Sequence, residues 1–245
     1  MNKKTTRTVG ILGGMGPEAT VRFFELIVKN TDAAVDQEHL RIIIYNFPQI
    51  PDRTRAVLYG GQNPVPWLVK GLKVLEKAGA ELVAIPCLTA HYFLPELSRR
   101  SRLPLLDLVT ETVRWTTSSL PGIRKVGLLA TEGTVASGIF HKAFARRQVQ
   151  VLEPGAAGQK KVMEAIYGRQ GIKAGFTGSG PARLLQEVAG ELISSGAQAI
   201  IAGCTEIPLA LKPRRLPLPL VDPMNIGARA LIIRAGGRLR EWPLP

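Results

Sequence analysis

The sequence predicts an α/β fold: two pseudo-symmetric lobes, each a mostly parallel sheet flanked by helices, with the candidate active site in the cleft between them. Three observations predict it. First, the only two cysteines, Cys87 and Cys204, each end an apolar run that opens with a Gly-Ala pair, Gly79-Ala80 and Gly196-Ala197. Second, the separation of the cysteines (204 − 87 = 117) recurs between Gly10 and Gly127, Gly16 and Gly133, and Ala19 and Ala136. Such register indicates two copies of one supersecondary plan. Third, short β-branched runs alternate with segments of helical period, the pattern of parallel sheets covered by helices.

The elements follow in order. Residues 8–12 read as a buried first strand, and 13–17 as a glycine turn. Pro17 opens a helix with Glu18 in its first turn and an apolar stripe of Phe23, Phe24, Ile27 and Val28. Residues 41–46 read as a second buried strand, followed by proline-punctuated loops to Pro66. A helix over 67–77 precedes a third strand, 81–85, which delivers Cys87. A helix over 92–100, interrupted near Pro95, a short strand at 104–106 and a helix over 107–119 complete the first plan. Phe23, Phe24, Tyr92 and Phe93 are expected in the core.

The second plan repeats it. Residues 125–129 form a strand, 131–134 its turn, and 139–147 its helix. A strand at 149–152 and helices over 159–167 and 181–194 lead to a strand at 199–202, which delivers Cys204. Leu103-Pro104-Leu105-Leu106-Asp107 returns as Leu218-Pro219-Leu220-Val221-Asp222. The last helix, 225–239, is expected to pack back on the first lobe. The lobes are therefore residues 1–114 plus 223–245, carrying Cys87, and residues 115–222, carrying Cys204.

Composition narrows the function classes. The chain has 245 residues and a net charge of +13. A solvated basic surface or attraction of acidic small molecules accounts for that charge. Nucleic-acid binding is not expected, because no helix-turn-helix, zinc or aromatic-platform signature accompanies it. Much of the excess lies in Lys212, Arg214, Arg215, Arg229, Arg234, Arg238 and Arg240. No run of 18 apolar residues exists, so a membrane span is not expected. The N-terminus lacks the apolar core of a signal peptide, and two cysteines make no disulfide framework; a cytoplasmic protein with free thiols is expected.

In parallel sheets ligands sit outside the carboxyl ends of the strands. Both cysteines, both turns and the Asp52–Arg53 loop lie at such ends, so they converge on the cleft. Two facing thiols suit one reaction in particular. The proton beside a carboxylate is very weakly acidic, and a base on one face with an acid on the other removes and returns it with inversion. The thiol needs its pKa lowered or its position fixed, and the carbanion needs donors or cations. Thr89, Thr131, Thr134, Thr205, Arg53 and Lys173 are the candidates. Gly14-Met15-Gly16-Pro17-Glu18-Ala19 also fits a dinucleotide fingerprint, but the second strand ends in Asn46 rather than an acid for a ribose.

The combination of Gly10 to Thr20, Pro51-Asp52-Arg53, Pro86-Cys87 with Thr89 and His91, Ile172-Lys173-Ala174-Gly175 and Gly203-Cys204-Thr205-Glu206 resembles the cofactor-independent aspartate/glutamate racemase family. Glu206 and the Gly-Gly-Met-Gly-Pro opening resemble the aspartate branch. The resemblance implies a PLP-independent amino-acid racemase of the aspartate type. Cys87 and Cys204 match its acid/base pair. Arg53, Lys173, Thr89, Thr134 and Thr205, with Met15, Gly16 and Leu88 beside them, match its substrate-binding positions. It implies no cofactor, no metal and a homodimer. Leu88 stands where the family pattern has Asn, which implies an apolar wall. A less polar substrate, or a non-catalytic amino-acid-binding protein, is the alternative. A redox pair of thiols or another reaction on the same scaffold are further alternatives.

Overall fold

The computed structural model describes residues 6–241. Residues 1–5 and 242–245, including the basic N-terminus read as no leader, lie outside the described residues.

The first sheet holds β1 (Val9–Gly13), β2 (Ile42–Asn46), β3 (Leu82–Ala84) and β4 (Leu105–Leu106), in the order β2-β1-β3-β4. The second holds β5 (Lys125–Leu129), β6 (Gln150–Leu152), β7 (Ile200–Ala202) and β8 (Leu220–Val221), in the corresponding order β6-β5-β7-β8. Every pairing is parallel. The repeated offset in the sequence is thus a repeated topology. Its central strands are apolar runs buried on both faces.

Helices α1 (Pro17–Asn30), α2 (Arg53–Leu58), α3 (Val65–Lys77), α4 (Leu94–Arg100) and α5 (Leu108–Ser119) accompany the first sheet. Helices α6 (Glu132–Ser137), α7 (Ile139–Ala145), α8 (Ala156–Tyr167), α9 (Ser179–Ser194) and α10 (Ile207–Ala210) accompany the second. Helix α11 (Pro223–Ala235) packs against α1 and α5, on the first sheet's side. Asp107 and Asp222, the equivalent residues of the two plans, cap α5 and α11 through their side chains. One core cluster runs from Phe23 and Leu108 to Phe140 and Phe144, so apolar burial crosses from one sheet's helices to the other's.

Several expectations change. Strand β2 is half-exposed because it is the sheet edge. Phe24, Val28 and Tyr92 are exposed, and α1 instead buries Ala19 and Thr20 beside Phe23 and Ile27. Tyr92 lies in a 3₁₀ turn, Thr89–Phe93, which turns it outward. Pro95 sits in the first turn of α4, where its missing N–H costs nothing, so it starts that helix rather than interrupting it. Residues 131–134 are not a free turn: Thr131 caps α6 by accepting from the Thr134 N–H. Helix α2 was hidden among prolines and glycines; Asp52 starts it by accepting from the Arg55 N–H.

Among the described residues no helix is long and apolar enough to cross a membrane. No group of three or more His, Cys, Asp or Glu converges there as a metal site.

Candidate active site

Strand β3 ends at Ala84, and two residues carry the chain to Cys87, whose N–H donates to the Ile85 carbonyl at 2.7 Å. The Cys87 carbonyl then accepts from the Ala90 N–H at 3.1 Å and from His91 Nδ1 at 2.9 Å. The tautomer of His91 follows from its other nitrogen. Nε2 lies 3.1 Å from the Leu108 N–H, and an amide only donates, so Nε2 is the acceptor and Nδ1 carries the proton. Burial holds the imidazole pKa below its ordinary value, against the pull of Asp107. His91 is thus a neutral strut tying the Cys87 backbone to the start of α5.

Cys87 is 5% exposed and packs in the cluster of Leu12, Phe47 and Ile85. Its neighbour Leu88 is 1% exposed and joins the other cluster, with Val9, Leu106 and Leu108. Successive side chains here enter opposite cores. The apolar wall expected of Leu88 is absorbed into the interior.

Arg53, first residue of α2, is buried beside Cys87. Its Nη1 donates to the carbonyls of Ile50 (3.1 Å) and Pro51 (3.0 Å), and Nη2 to that of Met15 (3.4 Å). Its Nε is buried with no partner. Burial opposes the guanidinium charge, but Cys87 and then Asp52 hold its pKa above the ordinary value. Met15 contributes through its carbonyl, while its side chain packs with Leu12 and Phe47.

Cys204 is 7% exposed and follows β7 after a single residue, Gly203. Its Sγ–H donates to Glu206 Oε2 at 2.8 Å. Thr205 Oγ1 donates to the same oxygen at 2.9 Å, and Lys173 Nζ to Glu206 Oε1 at 2.5 Å. Burial and the Glu206 charge push the Cys204 thiol well above its ordinary pKa, only partly offset by Lys173. Burial alone would raise Glu206, yet Lys173 and the bonds it accepts hold it below the carboxylate range. Lys173 is raised above the ordinary range because the attraction of Glu206 outweighs its burial. Cys204 is therefore a thiol whose proton points at a carboxylate.

Three contacts join the two halves. The Thr89 hydroxyl lies 2.8 Å from that of Thr134 and 3.3 Å from that of Thr131. A β-carbon on Gly133 would stand 2.7 Å from the Thr54 Cα, so α6 approaches α2 only with glycine there. A β-carbon on Gly16 would stand 3.3 Å from Glu206 Oε1 and 3.6 Å from Lys173 Nζ. The first glycine turn thus abuts the second half's ion pair. In that turn Gly14 has φ +97°, and Thr20 Oγ1 ties it by accepting from the Gly14 N–H and donating to the Gly16 carbonyl, both at 2.9 Å.

The polar side chains named from the sequence enter this arrangement, and Leu88 does not. Sequence reasoning missed Tyr167, the last residue of α8. Lys173 Nζ lies 5.6 Å from its ring centroid, a cation–π distance. Burial first, then the charges of Cys204 and Asp52, raise its phenol pKa, while a bond with Thr54 opposes the rise. Tyr167 therefore spans from Cys204 to the start of α2. No spacing in the sequence links it to either cysteine.

The family model described as Asp/Glu/Hydantoin racemase matches residues 12–231. The broad specificity amino-acid racemase RacX of Bacillus subtilis (strain 168) is 27% identical over 221 residues, 87% of this chain and 92% of that protein. A glutamate racemase of Deinococcus radiodurans is 30% identical over 183 residues, 68% of this chain and 60% of that protein. Among solved structures, the Picrophilus torridus aspartate racemase superposes with a TM-score of 0.82 at 32% identity, covering 96% of each chain.

Proposed function

The chain belongs to the Asp/Glu/Hydantoin racemase family, and from that premise we propose a cofactor-independent racemase of a dicarboxylic amino acid, aspartate first, working through Cys87 and Cys204. The observation that carries this reading is the opposite setting of the two thiols. Cys87 lies beside the Arg53 guanidinium, with no carboxylate accepting its proton among the described residues. Cys204 donates its proton to Glu206 and stays a thiol.

The chemistry follows from that asymmetry. The Cys87 thiolate takes the α-proton from one face of the substrate, and the C–H electron pair passes into the carboxylate as an enolate-like anion. The Cys204 S–H bond breaks on the other face, and its proton completes the inverted centre. The net result on the enzyme is one proton moved from Cys204 to Cys87, the state that accepts the opposite enantiomer. The Cys204 thiolate is then left beside Glu206 and is relieved only by Lys173, so reprotonation resets the resting form. Arg53 with its unpartnered Nε, the Thr89–Thr131–Thr134 hydroxyls and Lys173 supply the charges and donors for two carboxylates.

Similarity to the aspartate racemase supports aspartate; similarity to the broad-specificity RacX supports a wider range of amino acids. The burial of Leu88 in the core weighs against a pocket made apolar by that residue. Proton NMR in D₂O with both enantiomers of aspartate, glutamate, alanine and leucine, followed by chiral chromatography, decides. Loss of the Cα–H signal with growth of the opposite enantiomer for aspartate is the expected result. Exchange confined to alanine or leucine would reject the dicarboxylic substrate, and no exchange with any would reject the racemase reading.

A further inference from the structure

A second charged cavity lies away from the cysteines. It has a volume of about 540 Å³ and is bounded by α1, α11, the segment after α10 and Trp115 of α5. Five cations line it: Arg22, Lys29, Lys212, Arg229 and Arg240. Two carboxylates of the lining, Asp222 and Glu241, oppose them, and Glu25 at the rim pairs with Lys29. Three of the five cations belong to the basic C-terminal excess that the racemase chemistry leaves unused.

These charges are gathered at a cost. Burial and then the neighbouring Arg22 hold Lys212 below its ordinary pKa, despite Asp222. Burial likewise lowers Arg229. Arg22 reaches Asp222 at 3.1 Å through Nη2, but its Nε is buried without a partner. Among the described residues only two buried side-chain nitrogens or oxygens are unpartnered: this Nε and that of Arg53, beside Cys87. Each is a guanidinium donor held dry, and only that of Arg22 sits among other cations. A protein that needed only stability would not concentrate repelling cations there.

The apolar part of the lining shapes the ligand. Leu26, Pro208, Pro213, Leu220 and Ile226 supply walls, and Trp115 supplies an exposed indole. The volume suits a small organic molecule rather than a lone ion. We propose that this cavity binds an organic polyanion of nucleotide size, with phosphate groups on the cluster of Arg22, Lys212, Arg229 and Arg240 and an aromatic or apolar body against Trp115. A second copy of the chain is a poorer occupant, because it would bring its own net charge of +13.

Calorimetric titration of the whole protein with ADP and with sodium pyrophosphate, at constant ionic strength, tests this. Saturable binding of ADP is expected with a Kd of about 100 µM or tighter. Lys212→Gln/Arg240→Gln should weaken both probes at least about tenfold. Trp115→Phe should weaken ADP and spare pyrophosphate. Arg146→Gln/Arg147→Gln, exposed in the second half, should change neither, and Cys87→Ser should also change neither, separating this cavity from the cysteine site. No saturable binding at 1 mM of either probe (about 4 kcal/mol of affinity) would overturn the proposal. So would equal weakening by the Arg146/Arg147 control, or pyrophosphate binding without ADP binding. A thermal melt of the Lys212→Gln/Arg240→Gln variant beside the unaltered protein checks that it remains folded, and the single Arg240→Gln variant, which should weaken both probes in the same sense, keeps the test decisive if it does not.

Discussion

The Cys204 thiol and Glu206 Oε2 are 2.8 Å apart, with the thiol as donor and the carboxylate shared with Thr205 and Lys173. Among the described residues no corresponding carboxylate accepts from Cys87, which has Arg53 beside it instead. Two cysteines at equivalent places of a repeated topology thus have opposite electrostatic settings. Of the two, Cys204 is the one set to keep its proton.

The first consequence separates the two thiols. In Cys204→Ala the base remains and the acid is gone. One enantiomer should still wash out its α-proton into D₂O, without inversion, while racemisation falls by at least about 10³-fold. In Cys87→Ala the washout should belong to the opposite enantiomer and be slower, because Cys204 must first lose its proton. NMR exchange and chiral chromatography on both variants read this. Identical washout of both enantiomers in Cys204→Ala would contradict the opposed-face arrangement.

A second consequence concerns Glu206 as the group that keeps Cys204 protonated. Glu206→Gln removes a negative charge beside the sulfur and leaves Lys173 unopposed. Both changes lower the Cys204 pKa. In a Cys87→Ser background, the pH profile of Cys204 alkylation by iodoacetamide, followed by mass spectrometry, should move to lower pH. An unmoved midpoint would show that Glu206 does not set the proton. Stability gives the same sign independently. A folded thiol pKa raised above the unfolded value of about 8.5 means that the folded state binds more protons between the two values. That contribution is fully present below about pH 8.5 and is lost as pH rises toward the folded value. Cys204→Ala should therefore flatten the alkaline fall in Tm.

Most of the frame of this site was legible before any coordinates. The 117-residue offset made Gly16 equivalent to Gly133 and Cys87 equivalent to Cys204 because topology repeats when the apolar runs repeat. Asp107 and Asp222 matched in the repeat, but that both cap helices, the last one starting at Pro223 rather than the expected 225, came from the structure. What stayed hidden depends on contacts between halves. Tyr167 has no motif; it matters because the turn carrying Lys173 folds its ammonium over the ring. Glu206 entered only as a mark of the aspartate branch; at the start of α10 it makes no side-chain cap and turns to Cys204 and Lys173 instead. Leu88 read as a pocket wall because spacing along the chain does not say which of two cores a side chain enters.

The contact between Gly133 and Thr54 gives a third prediction. A methyl at 133 would stand 2.7 Å from a backbone atom of α2, so rotamer changes cannot relieve it. Helices α2 and α6 must separate, moving Arg53 away from Cys87. Gly133→Ala should lower kcat/KM by about 10²-fold, the order expected for a misplacement near 1 Å. Urea unfolding should show a smaller loss, within about 3 kcal/mol. Activity close to that of the unaltered protein would mean that the cleft tolerates a wider gap.

The last prediction distinguishes stability from chemistry in the Lys173–Glu206 pair. The Glu206 side chain is 4% exposed and that of Lys173 is 23% exposed, so removing either partner strands a charge with little water. Lys173→Met should destabilise by about 3–5 kcal/mol, chiefly because Glu206 is left ionised in the interior or must take up a proton. The sign with pH follows. In the unaltered protein Glu206 sits below its ordinary pKa, so its stabilising contribution is present above about pH 4.3 and fades as pH falls through the folded value. In Lys173→Met the folded Glu206 pKa rises instead, and the variant should regain stability relative to the unaltered protein on acidification. Lys173→Met/Glu206→Gln should recover much of the loss at neutral pH, because no buried charge remains unpaired. Neither variant should restore racemisation of aspartate, since the second carboxylate has lost its cation. Urea midpoints at pH 5 and pH 7.5, beside chiral assays, read both properties. Additive losses in the double variant would show that the two side chains do not act as a pair, and full aspartate turnover in it would remove Lys173 from the substrate site.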